Sequence, residues 1–358
     1  MRPAGNQMTR TPYLRNAWYV GALSGEIAAG PVARTLLGER MVLFRTESGA
    51  PAVLADRCPH RFAPLSLGRV AGESLECGYH GLRFGPDGKC VLNPHGDGAV
   101  PRRADVAAWP ARERYGYVWF WPGDPARADD SLIPSLPFNE DPGQFAVVYG
   151  HLDVAAHYEL VVDNLLDLSH VEFLHPLFRQ AGGVAAHKTS FAVEGTTVMA
   201  NRFKPNVEIQ GLMRFFWTSP SKRFDARANM RWMPPSCMSF DLGGTECGAA
   251  PEEGVCMPQT HMITPAEELR CHYFWSVARN REIDNEEASR KLHEVTQNVF
   301  LKEDVPMIEA QQRNVGTATD ILALAPVALD PDTPGVRARR ILADLIRREA
   351  GEKTAAAQ

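Results

Sequence analysis

At 358 residues, with 44% hydrophobic and 23% charged residues, the sequence has the makeup of a soluble globular protein of two ordinary domains or one large one. A net charge of −5 without a basic block excludes nucleic acid as a main partner, because nothing concentrates cations against phosphates. No apolar run reaches the roughly 18 residues that span a bilayer, and "MRPAGNQMTR" lacks an apolar signal core, so no membrane role and a cytoplasmic location are expected.

Met8 is a candidate start, which leaves residues 1–7 as a dispensable tail. The first third reads as β-rich. "MVLFRT", "ESGA" and "PAVLAD" give two apolar strands around a Gly-containing turn, and "YGYVWFWPG" gives another strand closed by Pro122-Gly123. The Pro- and Asp-rich segment 122–143 is the expected boundary between a domain over 8–125 and one over 126–350. Beyond it, "VAAHYELVVDNLLDLSHVEFLHP" reads as a helix. Strands follow in "TTVMANRF", "SCMSFDL", "VCMPQTHMI" and "RCHYFWSVAR". A long helix is expected over 284–312 and a last one over 334–350, with the Arg339-Arg340 and Arg347-Arg348 pairs on its charged face and 351–358 as a disordered tail. The fold class is α+β, a small β domain followed by an antiparallel sheet with flanking helices.

Two loops carry a metal-ligand pattern, Cys58-x-His60 and, after sixteen intervening residues, Cys77-x-x-His80. Residue types alone leave zinc, iron and copper open. A zinc finger takes two cysteines from one knuckle and two histidines from another. Here each loop supplies one of each, which suits two metals, each loop gripping one through Cys and the other through His, as in a Rieske [2Fe–2S] cluster. Pro59, Gly78, Gly81 and Gly85 suit tight loops. The positions where respiratory-chain Rieske proteins place a disulfide hold Ala63 and Tyr79, and residue 82 is leucine rather than a hydroxyl donor. A potential toward the low end of the Rieske range is expected. The other five cysteines show no ligand spacing and read as reduced thiols.

A second set lies in "DNLLDLSHVEFLHP". At about 100° per residue, Asp167 and His170 share a helical face, whereas His170 and His175 stand about 140° apart. A straight helix cannot bring both histidines to one metal. The helix is expected to bulge or end near Ser169, and Pro176 supports an end there. Two histidines and one carboxylate make the facial set of non-haem Fe(II) oxygenases, so a distant acid is required. Asp304 falls on a helical face with Phe300, Met307 and Ile308, opposite Lys302 and Glu309, while Glu303 competes for the role.

Together with "NAWYV", "CPHRFAPLS", "YHGL", "NPHGDG", "THMITP" and "KED", these residues resemble the oxygenase (alpha) components of Rieske non-haem iron oxygenases. The likeness is strongest to the group of vanillate O-demethylase, dicamba monooxygenase and toluenesulfonate methyl-monooxygenase, and runs from "LRNAWYV" to "LKEDVPMIEA". It implies a catalytic domain of the helix-grip type. It also implies that Cys58, His60, Cys77 and His80 hold the cluster and that His170, His175 and Asp304 hold a mononuclear Fe(II). Asp167 is implied to bridge to a cluster histidine of a neighbouring subunit in a head-to-tail homotrimer. Asn164 matches a polar residue beside the iron, His261 a histidine that contacts an anionic substrate, and Gly78 stands where many relatives have proline, a change expected to loosen the loop slightly. The divergent segment "PPSCMSFDLGGTECG" is expected to line the pocket.

The implied reaction uses O2 and electrons from a separate NAD(P)H-dependent reductase, directly or through a ferredoxin, because the chain has no G-x-G-x-x-G or flavin motif of its own. The reductase is expected at an exposed rim near His60 and His80. The implied substrate is a small aromatic acid, oxidised at a methyl group. Ring cis-dihydroxylation is the alternative chemistry; a bare electron carrier and a zinc-clipped binding protein are the rivals from other classes.

Overall fold

The computed structural model describes residues 13–178, 188–209, 211 and 213–356; Met8 lies outside them. Strand β1 (Tyr19–Leu23) leads through the short helix α1 (Ser24–Ala28) into β2 (Val32–Leu36), β3 (Glu39–Arg45) and β4 (Pro51–Ala55). β3 and β4 form the expected hairpin. Met41, Val42, Leu43 and Phe44 are all buried because β3 is covered on both faces. Met41 and Leu43 join the main core, while Val42 and Phe44 join a smaller one that also contains Cys58 and Cys77. Next, β5 (Arg69–Ala71), β6 (Ser74–Glu76), β7 (Arg83–Phe84) and β8 (Cys90–Leu92) make a small antiparallel sheet. β9 (Ala108–Trp109) pairs with β4; β10 (Ala111–Arg114) pairs with β11 (Tyr117–Phe120), the strand expected in "YGYVWFWPG".

The second part begins with β12 (Ala146–Val154), helix α2 (Tyr158–Leu166) and the single turn α3 (Val171–Leu174). Then come β13 (Lys188–Glu194), β14 (Thr197–Glu208), α4 (Met213–Phe216), β15 (Arg223–Met233), β16 (Cys237–Thr245), β17 (Val255–Cys256), β18 (Gln259–Glu267) and β19 (Arg270–Arg279). All pair antiparallel in one sheet of order β12-β19-β18-β16-β15-β14-β13, with β17 beside β16. β12, β13 and β15 escape the sequence reading, and the single strand expected over "VCMPQTHMI" is two, broken at Met257-Pro258 where proline has no N–H to pair. Gly150 of β12 faces Trp275 of β19, and a Cβ there would sit 2.2 Å from the indole.

The expected long helix is α5 (Glu286–Val299) and α6 (Val305–Val315), joined by a π-turn over Phe300–Asp304. The Asn285 side chain caps α5 by accepting from the Ala288 N–H at 3.0 Å. Helix α7 (Thr333–Ala356) extends past the expected end at 350, so the tail expected to be disordered is helical to Ala356, and 357–358 lie outside the described residues. Glu349 helps hold it down, accepting from the Arg15 and Asn16 N–H groups at 2.8 and 2.6 Å. Arg339 also departs from expectation. It is buried rather than on a solvated face, and its guanidinium grips Asp163 and Glu159 of α2.

The two parts are tied by backbone. Leu37 and Gly38 N–H groups donate to Pro265 and Ala266 carbonyls at 2.8 and 2.7 Å, and the Thr264 hydroxyl donates to Val20 O at 2.6 Å. α6 is fastened to the start of α2 by Ala155 N–H to Glu309 (3.0 Å) and His157 N–H to Gln312 (2.9 Å). Glu309, expected on the solvated face, is therefore part of this seam.

Arg339→Ala strands two carboxylates against α2 and is expected to cost about 3–5 kcal/mol, read as a lower urea midpoint, with Arg339→Lys failing to restore it. Burial holds the His157 imidazole down at about 3, so the unfolded chain takes up its proton first as pH falls below 6.5. Stability is therefore lost toward acid, by about 1.4 kcal/mol per pH unit from this group. His157→Gln is expected to flatten the fall in urea midpoint between pH 6.5 and 5 relative to wild type.

Candidate active site

The two Cys/His loops fold by the same rule. In the first, which follows β4, Cys58 N–H donates to Ala63 O at 2.8 Å and Phe62 N–H to Cys58 O at 2.9 Å. In the second, between β6 and β7, Cys77 N–H donates to Leu82 O at 2.8 Å and Gly81 N–H to Cys77 O at 3.0 Å. Closing so small a loop needs a left-handed residue at its fourth position. Gly81 supplies it freely at φ 73°, and Phe62 takes it at φ 59° with Arg57 stacked on its ring. Gly85 is an ordinary turn residue, outside this pattern. A Cβ at Gly78 would lie 2.7 Å from Leu67 O, so the missing side chain lets the second loop pack against the turn that follows the first.

Cys58 and Cys77 are buried and adjacent, while the His60 and His80 rings meet at 4.5 Å near the surface. Burial pushes the Cys58 thiol up to about 11, opposed by backbone N–H groups of His60 and Arg61 that point at its sulfur. All seven cysteines are free, so no disulfide braces the loops. Bracing comes from Asp56, which accepts from the Ser66 N–H and hydroxyl (2.7 and 2.9 Å), and from the His95 ring on His80 O (2.8 Å).

A single tetrahedral zinc draws its ligand atoms to about 3.5 Å from one another. Among the described residues, three donor atoms within 4.8 Å of one another occur at two places, and the Cys58/His60/Cys77/His80 set is at neither. Sulfurs grouped with sulfurs and imidazoles with imidazoles, too far apart for one ion, fit a two-iron cluster. One of the two places is His151, Asp153 and His272, at the seam between the parts, where Arg270 already pairs with Asp153 at 3.5 Å.

The other is His170, His175 and Asp304. α2 ends at Asp167 (φ −89°, ψ 88°), two residues before the expected break, so both histidines lie beyond it. His170 closes a 3₁₀ turn and His175 ends α3. The shared helical face expected for Asp167 and His170 therefore does not exist. It is the Asp167 backbone carbonyl that engages His170 Nδ1, while its carboxylate accepts from Ser169 N–H at 2.8 Å. His175 Nδ1 binds Glu303 at 2.7 Å. With both Nδ1 atoms occupied, both Nε2 atoms face Asp304 Oδ1, each at 3.4 Å. Each imidazole thus turns Nε2 to the same point, and three ligand atoms converge as a facial set requires.

Spacing left Glu303 and Asp304 in competition; the fold brings Asp304 to both histidines and puts Glu303 behind His175. A π-turn spans the segment that carries both acids. It also shifts the register, so Met307 is exposed although Phe300 and Ile308 still pack inward. Burial raises the Asp304 carboxyl, but hydrogen bonds from His170 and His175 outweigh it and hold the group at about 2. Burial likewise opposes protonation of His175, yet Asp304 and Glu303 raise it above its usual value. Asn164 donates to Asp304 Oδ1 at 3.2 Å.

These groups sit at one wall of a largely apolar cavity of about 200 Å³ that includes Met213, Phe224, Met230, Phe240, Leu242 and Phe300. Phe240 and Leu242 come from the divergent segment expected to line it. His261 lies in this wall too, its Nδ1 paired with Tyr273 OH at 2.7 Å and its buried Nε2 without a hydrogen-bond partner. Burial keeps it neutral, with a pKa of about 3. Sequence reasoning missed Glu303 as an orienting group and the cations Arg202 and Lys204, which line the same cavity, Arg202 against Leu168 and Glu172. The alternation of "NRFKP" carries the signal for the cations. Glu303→Ala is expected to weaken Fe(II) retention about 10–100-fold in chelator competition while leaving the cluster's EPR signal unchanged.

Comparison with known proteins agrees with this geometry. The Rieske [2Fe-2S] domain family matches residues 17–110, and the vanillate O-demethylase oxygenase C-terminal domain family matches 154–348. The chain is 37% identical to the chloroacetanilide N-alkylformylase oxygenase component of Rhizorhabdus wittichii, covering 96% of this chain and 99% of the other. It is 36% identical to the dicamba O-demethylase oxygenase component of Stenotrophomonas maltophilia, over 94% and 99%. A crystal structure of dicamba monooxygenase with 3,6-dichlorosalicylic acid superimposes with a TM-score of 0.87 at 35% identity, over 94% and 99%. With both halves matched and the relatives covered end to end, the chain belongs to the Rieske non-haem iron oxygenases, as an oxygenase component carrying a [2Fe–2S] cluster and a mononuclear iron.

Proposed function

We propose that this oxygenase component is a monooxygenase that hydroxylates a methyl group of a small aromatic acid, by O-demethylation or aryl-methyl oxidation. The observation that carries the reading is the convergence of His170, His175 and Asp304 on a mainly apolar cavity of about 200 Å³. An apolar cavity of about 150 Å³ admits benzene, so one substituted ring matches the space. Cys58, His60, Cys77 and His80 would hold the cluster, and His170, His175 and Asp304 would hold the mononuclear Fe(II). When bound, the cluster stores electrons and the mononuclear iron activates dioxygen.

The protein's own groups do the positioning. Asn164 fixes the Asp304 carboxylate, Glu303 and the Asp167 carbonyl fix the two imidazoles, and the apolar lining keeps water from the reacting carbon. His261 offers its Nε2 to a polar group of the substrate. O-demethylation takes one O2, two electrons and two protons, places one oxygen on the methyl carbon and releases the other as water. The resulting hemiacetal then loses formaldehyde to leave the phenol.

The electrons come from a separate NAD(P)H-dependent reductase, directly or through a ferredoxin. Phe62, Leu67 and Tyr79 stand exposed around the Cys/His loops, and Phe173, Met307 and Val327 stand exposed around the cleft outside Asp167. Two different apolar patches favour head-to-tail contact, and a ring of three subunits would seat His80 of the partner subunit against Asp167. Residues 8–125 would then act as the electron-receiving domain and 126–350 as the catalytic one, in a cytoplasmic enzyme; no helix among the described residues is long and apolar enough to cross a membrane.

Metal analysis is expected to find about three irons per chain, with a Rieske EPR signal. His170→Ala should keep that signal, lose the mononuclear iron and stop turnover. Asp167→Asn should keep both metals and the trimer but slow turnover about 10–100-fold. With labelled O2, one labelled oxygen on a former methyl carbon is expected. A ring diol carrying two labelled oxygens would overturn the reading.

A further inference from the structure

Strand β14 reverses the usual pattern of a half-buried strand. Val198, Ala200, Arg202 and Lys204 face inward, at 0%, 7%, 8% and 2% exposure, while Phe203 between the two cations points out at 41%. A strand that covers a core normally turns its apolar residues inward, so placing Arg and Lys there needs a reason. Their cross-strand partners are Ala228 and Ala226, whose small side chains leave space in front of the charges. Both cations line the same cavity as His170, His175 and Asp304.

Arg202 is incompletely satisfied. Its Nη1 donates to Leu168 O, but its Nη2 is buried with no hydrogen-bond partner, and the nearest Glu172 oxygen is 3.9 Å away. Burial lowers the pKa of Arg202 and of Lys204, against the pull of Glu172. Of the cavity's acids, Asp304 is committed to His170 and His175, and Glu172 stands beyond hydrogen-bond reach of Arg202.

We propose that the β14 end of the cavity is an anion subsite, in which Arg202, seconded by Lys204, binds a carboxylate or sulfonate of the substrate. An anion there completes the Nη2 hydrogen bonding with a charge-assisted bond to the guanidinium, stronger than a neutral acceptor makes. The subsite is separate from His261. Arg202 shares a row with Ala228 and Leu242, whereas His261 shares one with Met238 and Trp232. Those rows are four residues apart, about 13 Å along the strands, and two strands intervene. The proposal rests on the oxygenase reading for the reaction, but assigns the acid group to β14 instead of His261.

The test uses the metal-loaded enzyme and paired probes, 4-methoxybenzoate with 4-methoxybenzamide and toluene-4-sulfonate with toluene-4-sulfonamide. Calorimetry and ligand-induced thermal shift give binding; oxygen uptake and product formation give KM and kcat. Wild type is expected to bind each acid about 10–100-fold more tightly than its amide. Arg202→Met should erase that ratio through the acid alone, raising its KM with little change in kcat, and Arg202→Lys should recover part of it. An unshifted EPR signal and thermal midpoint show that the variant is folded, and Lys204→Met provides a second, independent substitution.

An acid preference that survives Arg202→Met, equal binding of acid and amide by wild type, or no binding of either pair overturns the subsite. A preference lost in His261→Asn and kept in Arg202→Met does the same. Arg202-dependent acid binding without methyl oxidation leaves the subsite standing and counts against the proposed reaction. Methyl oxidation of the acids without dependence on Arg202 does the reverse.

Discussion

A buried carboxylate shared between two imidazoles governs the second half of this molecule. Asp304 is almost fully enclosed, which would ordinarily favour its neutral form, yet His170 and His175 both turn Nε2 toward it and keep it ionised. That orientation persists because each Nδ1 is already engaged, one by the Asp167 carbonyl and one by Glu303. The three groups come from segments about 130 residues apart, so their meeting depends on how α2 and α6 are docked. Gln312 and Glu309 stitch α6 to the N–H groups just before α2, Asn164 reaches Asp304 directly, and Arg339 clamps α2 from behind. Two backbone irregularities complete the arrangement, the break at Asp167 and the π-turn at Phe300–Asp304. Without the first, His170 and His175 would point apart.

The Cys/His loops obey a different constraint, the closure of short loops around sulfur. Both use the same pair of backbone hydrogen bonds and a left-handed fourth residue, and in both the cysteine is inside and the histidine outside. That division fits the task of a relay. Sulfur ligation sits in an apolar core that it shares with Val42 and Phe44, whereas the imidazoles lie at a rim where another protein surface can approach. The large sheet supplies a third element, one wall of a cavity that carries Arg202 and Lys204 where a plain core would be apolar.

Much of this was legible in the chain. The Cys-x-His and Cys-x-x-His spacing singled out Cys58, His60, Cys77 and His80 as candidate cluster ligands because both members of each pair sit on one short loop. Strands such as β3, β11 and β19 were readable for a similar reason, being dense apolar or aromatic runs between turn residues. Where burial depends on a remote partner, the reading failed. β13 and β15 carry mixed, polar-rich patterns that gain meaning only beside β14, and Arg339 reads as a surface cation until two acids of α2 close over it.

By itself the sequence pointed to candidate ligand types, to Asp304 through its helical face and the family resemblance, and to the need for a distant carboxylate, since these follow from residue chemistry and spacing. Only the tertiary structure decided that Asp304 meets both histidines while Glu303 stands behind His175, because adjacent residues on a helix differ by about 100°. It likewise decided that Gly78 lets the second loop pack against the turn after the first, that Asp167 holds His170 through its backbone and that Arg202 and Lys204 face the pocket. Each of those depends on what another segment brings to within a few ångströms, which no local pattern encodes.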